Sequence, residues 1–401
     1  MIKERLPEID MLRILSILIV VLLIHIPINY AYNFYYDLDP YGVFLVNNIG
    51  IYTAMGSFVF ISGFGLYLNT NNRKINSIEK LLTFLKKRFI RIFPLYWIVL
   101  ILFLFYLGFQ NYDPLYLLAH ILGMQIIVAP KFGPPILTLW FIGIIVIYYL
   151  IFVILSFLGS IKRIIPVSLA ILFFFVFLNG FFGLVEYRFF LYYLIFIAGI
   201  IAANIYTSPL YNRINESWKK RHQVILLIIP LCTAIICFLL FLFISQFCFS
   251  AFNLEFGTTI LDFIFDQNPG FFQSALVVLL INIIIITFII FSFSLFNLFI
   301  RTFRLIFPKK RIESIFSAIS YSTFCVYLFH RVFLTIFDII LIDRFNINIF
   351  DKENFYLVLL FIPFIFLFSY FIQWTSDWVL KLPSKLKTRK VLINTSPELQ
   401  S

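Results

Sequence analysis

His25 stands twelve residues beyond Arg13 in a stretch that is otherwise almost wholly apolar, and ionisable groups in such surroundings are costly enough to be candidates for function. A neutral imidazole both accepts and donates a proton near neutral pH, so general base is the chemistry that suits His25 best. The competing role is a histidine hydrogen-bonded between helices. Asp10 and Arg13, three residues apart, can meet on one helix face at the start of the same run. At 1.5 Å of rise per residue, His25 lies about 18 Å deeper.

Two more groups have the same character. Arg88 and Arg91 are one helical turn apart in Lys86-Lys87-Arg88-Phe89-Ile90-Arg91-Ile92-Phe93-Pro94. Planar guanidinium forks at that spacing can grip phosphate bidentately, or else anchor the chain at a membrane surface. Pro94 fits a first helical turn and predicts a helix that begins just after the arginines. In Tyr327-Leu328-Phe329-His330-Arg331, a second imidazole falls at a depth comparable with His25, so the two can approach one cavity. Arg331 needs a partner, and Asp338, seven residues on, shares its helix face.

The elements that must position these residues are set by composition. Hydrophobic residues make up 62% of the 401-residue chain and charged residues 12%, more apolar surface than a soluble protein of this size can hide. Runs of the length needed to cross hydrocarbon recur from end to end. We place ten spans near 12–31, 43–67, 92–109, 136–158, 164–181, 189–206, 223–246, 272–299, 316–340 and 355–379. The predicted fold class is all-α: a polytopic integral membrane helical bundle of about ten transmembrane helices. Residues 1–390 form one transmembrane domain and 391–401 a short cytoplasmic tail.

Charge gives an independent test, because Lys and Arg concentrate on the cytoplasmic side. With Met1 inside, the inner connections hold Lys3, Arg5, the basic residues from Arg73 to Arg91, Lys162, Arg163, the group from Arg213 to Arg221, the group from Arg301 to Arg311, and Lys381 to Lys390. The outer connections hold only Lys131, Arg188, Arg344 and Lys352. Both termini are therefore expected in the cytoplasm of a cell-membrane protein. The net charge of +12 is spread over short juxtamembrane loops rather than one groove, which argues for contact with anionic lipid and against nucleic acid. The first apolar run is long and lacks a small-residue cleavage site, so it reads as a retained helix. Cys232, Cys237, Cys248 and Cys325 have no metal-ligand spacing, and no metal is expected. The segment Asp113 to Pro130, with His120, is less apolar than a span and reads as lying along or re-entering the outer interface. Ser62 and Gly63, at the end of the second span, permit close helix approach.

In order, Ile9-Asp10-Met11-Leu12-Arg13 with His25, Phe60-Ile61-Ser62-Gly63-Phe64, Arg88-Phe89-Ile90-Arg91 before Pro94-Leu95-Tyr96-Trp97, Leu139-Trp140-Phe141, and Tyr321-Ser322 leading to Tyr327-Leu328-Phe329-His330 form a pattern covering most of the chain. It resembles the acyltransferase-3 family of membrane-bound acyltransferases. The resemblance implies transfer of an acyl group, commonly acetyl or succinyl, from cytoplasmic acyl-coenzyme A to a hydroxyl of a glycan or lipid-linked saccharide outside the membrane. It makes His25 the catalytic histidine, Arg13 its first-helix partner, and Arg88 and Arg91 the pair associated with coenzyme A. The residues themselves, apart from the resemblance, add His330 as a second candidate catalytic imidazole and Asp10 as a candidate cofactor-binding group at the inner mouth. In the family pattern the first arginine and histidine are usually eleven apart. Twelve turns them about 120° from each other on an α-helix, and a π-bulge would restore the alignment. Phe141-Ile142-Gly143 stands where members with an appended esterase-like domain carry a Glu-containing motif, so a stand-alone membrane domain is expected. The competing reading is a transporter or flippase of a glycan or lipid intermediate. Transporters often show paired broken helices in corresponding halves, and no such symmetry is evident here.

Overall fold

The computed structural model describes residues 6–25, 49–106, 112–209, 211, 225–251, 271–303, 309–347 and 355–394. All regular elements among them are helical. In chain order they are α1 (Pro7–Leu18), continued by a π-helix (Ile19–His25), α2 (Gly50–Leu68), α3 (Ile78–Tyr106), the short α4 (Pro114–Ile121) and α5 (Gln125–Phe132), α6 (Trp140–Phe157), α7 (Ile161–Phe182), α8 (Tyr187–Tyr206), α9 (Ile225–Ala251), α10 (Phe271–Phe303), α11 (Lys309–Ile339) and α12 (Phe355–Asn394).

Eight helices among the described residues are long and apolar enough to cross a membrane. Of the ten expected spans, two fall outside that set. The first is the run from Pro7 to His25, whose expected continuation lies outside the described residues. The seventh is represented by the shorter apolar stretch Ile228–Ile244 of α9. The Asp113 to Pro130 segment folds as two eight-residue helices, each too short to span hydrocarbon. The third span departs from expectation. Its helix begins at Ile78, with the Ser77 hydroxyl accepting the Lys80 N–H at 3.3 Å, and Pro94 lies deep inside it. Arg88 and Arg91 are therefore held rigidly on a helix rather than just ahead of one. The proline removes only the bond to the Ile90 carbonyl, a defect tolerated where neighbouring helices pack around it.

α2 sits centrally, packed on α8, α1 and α10, while α1 and α12 flank α11. Its closest crossing, with α8, is backbone on backbone. A Cβ on Gly63 would come to 2.3 Å from the Phe196 carbonyl oxygen, and one on Gly199 to 2.3 Å from that of Phe60. Without a water-driven hydrophobic effect between helices, such close contact supplies the cohesion. Gly199→Ala is therefore expected to lower stability by about 1–3 kcal/mol, read as thermal unfolding in detergent. Gly180→Ala, on α7 with open space around it, should be neutral or slightly stabilising. Equal melting of the two variants would contradict this packing.

Buried phenols are satisfied across helices. Tyr148 donates to the Phe189 carbonyl at 2.7 Å and Tyr193 to that of Ser168 at 2.8 Å. α7 turns large apolar side chains outward, Phe173 and Phe181 among them, as a lipid-facing helix should.

His120, on α4, is a structural clamp. Its Nδ1 donates to the Tyr116 carbonyl at 2.9 Å and its Nε2 accepts the Ile136 N–H at 3.1 Å. Burial lowers its pKa from 6.5 to about 4. An unfolded chain takes up a proton here that the folded chain refuses, so stability falls as pH drops from 6.5 towards 4. The loss is at most about 3 kcal/mol. In detergent, His120→Gln should remove this component of the pH dependence of melting; an unchanged profile would contradict the role.

Candidate functional site

The π-helix ends on His25. Winding Ile19–His25 in wider turns rotates each residue less than an α-helix does, which redirects the side chain of His25 after the twelve-residue interval from Arg13. The imidazole is buried and its ring centroid lies 4.7 Å from that of His330, on α11. The two histidines, 305 positions apart in the sequence, thus meet.

Their hydrogen bonds fix their tautomers. Arg331 has only N–H groups to offer, and its Nη2 lies 3.1 Å from His25 Nδ1, so that nitrogen is the acceptor. A neutral His25 then carries its hydrogen on Nε2. His330 is the reverse. Its Nδ1 faces the Val326 and Tyr327 carbonyls at 3.1 and 2.8 Å, two acceptors, so Nδ1 holds the hydrogen. His330 Nε2 keeps a free lone pair, buried and without a hydrogen-bond partner. The pair therefore presents one N–H donor and one unused base side by side.

A cavity of about 790 Å³ lies on the side of these imidazoles nearer the start of α11. Arg13, Lys87, Arg88 and Arg91 line one part of it, with Ser62 and Tyr149 adjoining. The Arg88 guanidinium lies 5.3 Å from the Tyr149 ring centroid and 5.5 Å from that of Phe84, a cation–π setting. Its Nε is buried without a partner. The Ser62 hydroxyl reaches the Tyr149 hydroxyl at 3.2 Å, steadying the ring on which Arg88 rests. Of the residues that the sequence singled out, Arg13, Arg88 and Arg91 come together here and His25 and His330 come together beyond. Asp10 takes a different place. It is buried behind Arg13, which it meets at 3.9 Å, and accepts the Ser320 hydroxyl at 2.7 Å, tying α1 to α11.

Tyr327 joins the two regions. Its ring lines the cavity, packs on Phe141 at 5.1 Å and stands 6.1 Å from His330, while its hydroxyl donates to the Thr138 carbonyl. Of the Leu139-Trp140-Phe141 motif, Phe141 lines the cavity. Trp140, beside it in the chain, lies 4.8 Å beneath the Arg188 guanidinium, which pairs with Glu186 at 3.2 Å.

Two parts of this arrangement were not foreseen. Arg331 bonds His25, a pairing that i, i+7 reasoning within one helix cannot reveal. Asp377, on the last span, lines the cavity with Gln373 and Tyr321. Its charge within an apolar run was the available signal. Among the described residues, no three His, Cys, Asp or Glu side chains cluster to hold a metal ion.

Membrane-length helices around a cavity lined on one side by arginines, with two imidazoles in contact nearby, define a multi-pass membrane protein. The chain belongs to the acyltransferase-3 family: its residues 6–374 match the family model, described as an acyltransferase domain. No curated protein and no solved structure matches it.

Proposed function

We propose that the protein transfers an acyl group, acetyl or succinyl, from cytoplasmic acyl-coenzyme A to a hydroxyl of a glycan or lipid-linked saccharide outside the cell membrane, with both termini in the cytoplasm. The observation that carries this reading is the free lone pair of His330 Nε2 beside the N–H of His25, just beyond a cavity lined by arginines. Arg88, Arg91 and Arg13 hold the phosphates of the coenzyme at the mouth. The pantetheine arm carries the thioester past Tyr327 and Phe141 to the imidazoles.

There the acceptor hydroxyl gives its proton to His330 Nε2 as its oxygen attacks the thioester carbon. The His25 Nε2–H stabilises the oxyanion, while Arg331 fixes the tautomer of that ring. The C–S bond breaks, and the departing thiolate takes the proton from His330. In the alternative route, His330 takes the Nε2 proton of His25 as that nitrogen attacks the thioester carbon, and the C–S bond breaks with the departing thiolate taking the proton from His330. The acceptor hydroxyl then gives its proton to His330 as its oxygen attacks the acyl carbon, the N–C bond breaks, and that proton returns to His25 Nε2. His330 is the base in both routes.

Membranes bearing wild-type protein should incorporate labelled acetyl or succinyl from the coenzyme A thioester into base-labile surface material, and membranes bearing His25→Ala should not. Equal incorporation would refute the enzyme reading. Disappearance of the surface polymer itself, in cells lacking the protein, would favour an exporter.

A further inference from the structure

The part of the cavity formed by α11 and α12 has the opposite chemistry from its arginine side. Asp377 is a carboxylate inside the apolar stretch Leu359–Leu380 and lines the cavity. Tyr321 donates its hydroxyl to one oxygen and Gln373 donates Nε2 to the other at 3.1 Å. The Gln373 amide is fixed from behind, because the Cys325 thiol donates to its carbonyl oxygen at 3.2 Å. A carboxylate has about four acceptor positions, so each oxygen of Asp377 retains one. The neighbouring hydroxyls point elsewhere: Ser320 donates to Asp10 and Thr323 to the Ser320 carbonyl. What this side offers a ligand is therefore acceptors, held in a fixed orientation. The arginine side offers only donors.

A molecule that satisfies both sides has anionic groups in one part and N–H groups in another. Phosphate is repelled from Asp377, which orients such a molecule in one direction. Depth adds a second constraint. Asp377 bonds Tyr321, nine residues before His330 on α11, about 13 Å along the helix. It thus lies level with Ser320, Asp10 and Arg13, far from the reacting atoms.

Resting on the acyl-coenzyme A reading, we propose that Asp377, positioned by Tyr321 and Gln373, accepts the exocyclic amino group of the donor's adenine and so selects an adenine-nucleotide carrier. The amides of the pantetheine arm are not its partners, because that arm must extend towards the imidazoles. Tyr321 and Gln373 act by positioning, and Asp377 sets specificity.

The test compares three donors on full-length protein in nanodiscs: acetyl-coenzyme A, its hypoxanthine analogue, in which a carbonyl oxygen replaces the amino group, and acetyl-phosphopantetheine, which lacks the nucleotide. Binding is read by competition with labelled coenzyme A and transfer by KM. The wild type should favour adenine over hypoxanthine by about tenfold or more, the usual size of a hydrogen bond to a charged group. Asp377→Asn, isosteric and able to donate to the hypoxanthine oxygen, should abolish or reverse that preference. Equal affinity of the wild type for both purines would overturn the proposal, and so would an undiminished adenine preference in Asp377→Asn. These two results leave the donor reading intact. Failure of the wild type to bind any coenzyme A thioester would instead overturn the donor reading and the proposal with it.

Discussion

Replacing His330 by glutamine is expected to reduce acyl transfer by about 10²–10⁴-fold, the range typical of a lost general base. Donor affinity should stay close to that of the wild type. The reason lies in the hydrogen-bond assignment of the two imidazoles. Arg331 occupies the only lone pair of a neutral His25, whereas His330 has its Nδ1 hydrogen committed to two carbonyls and its Nε2 free. Whether the acceptor is deprotonated directly or His25 is first acylated, the proton goes to the same atom. His25→Gln separates the routes. Glutamine retains an N–H for the oxyanion and should leave measurable transfer if the acceptor attacks directly, but none if His25 carries the acyl group. Normal kcat in His330→Gln would show that the tautomer assignment does not describe the working enzyme.

The second large effect is expected at the cavity. Arg88→Ala should raise the KM for acyl-coenzyme A by about 10–100-fold, corresponding to the loss of charge-assisted bonds to phosphate. Arg88 is partly buried against Tyr149 and Phe84, with a buried Nε that lacks a protein partner, so its fork is pre-oriented. Lysine at this position supplies the charge without the planar fork and should restore only part of the affinity. Arg91 is more exposed, and its replacement should cost less. Steady-state kinetics with varied donor would show this as a change in KM with kcat largely retained. A pure fall in kcat would place Arg88 at the chemistry instead.

The sequence disclosed these residues chiefly through one physical signal, the cost of charge within hydrocarbon. That signal marks His25, His330 and Arg13 without any knowledge of packing, while Arg88 and Arg91 are marked by their one-turn spacing at the inner face, and the structure brings them together as two neighbouring groups. The twelve-residue interval between Arg13 and His25 also pointed to a π-turn, and one is present at Ile19–His25. What the sequence withheld depends on other helices. The bond from Arg331 to His25 joins α11 to the end of the first helical run, and no spacing rule within one helix contains it. Gly199 is essential to the α2–α8 crossing because its neighbour is a backbone carbonyl, a contact that leaves no trace in side-chain types. Pro94 was misplaced because the preference of proline for a first turn comes from helices bordered by water. Here α3 extends sixteen residues before it, supported by neighbouring elements.

The most direct test of the central claim uses inverted membrane vesicles, whose cytoplasmic face is outside. Acetyl-coenzyme A labelled in the acetyl group is added to the exterior, and base-labile label is measured in material sealed within the lumen, out of reach of impermeant hydroxylamine. Vesicles with wild-type protein should accumulate protected label, while those with His330→Gln or Arg88→Ala should lag at low donor concentration. Only the Arg88→Ala vesicles should recover at high donor concentration. Protected label appearing equally in all three would contradict the account.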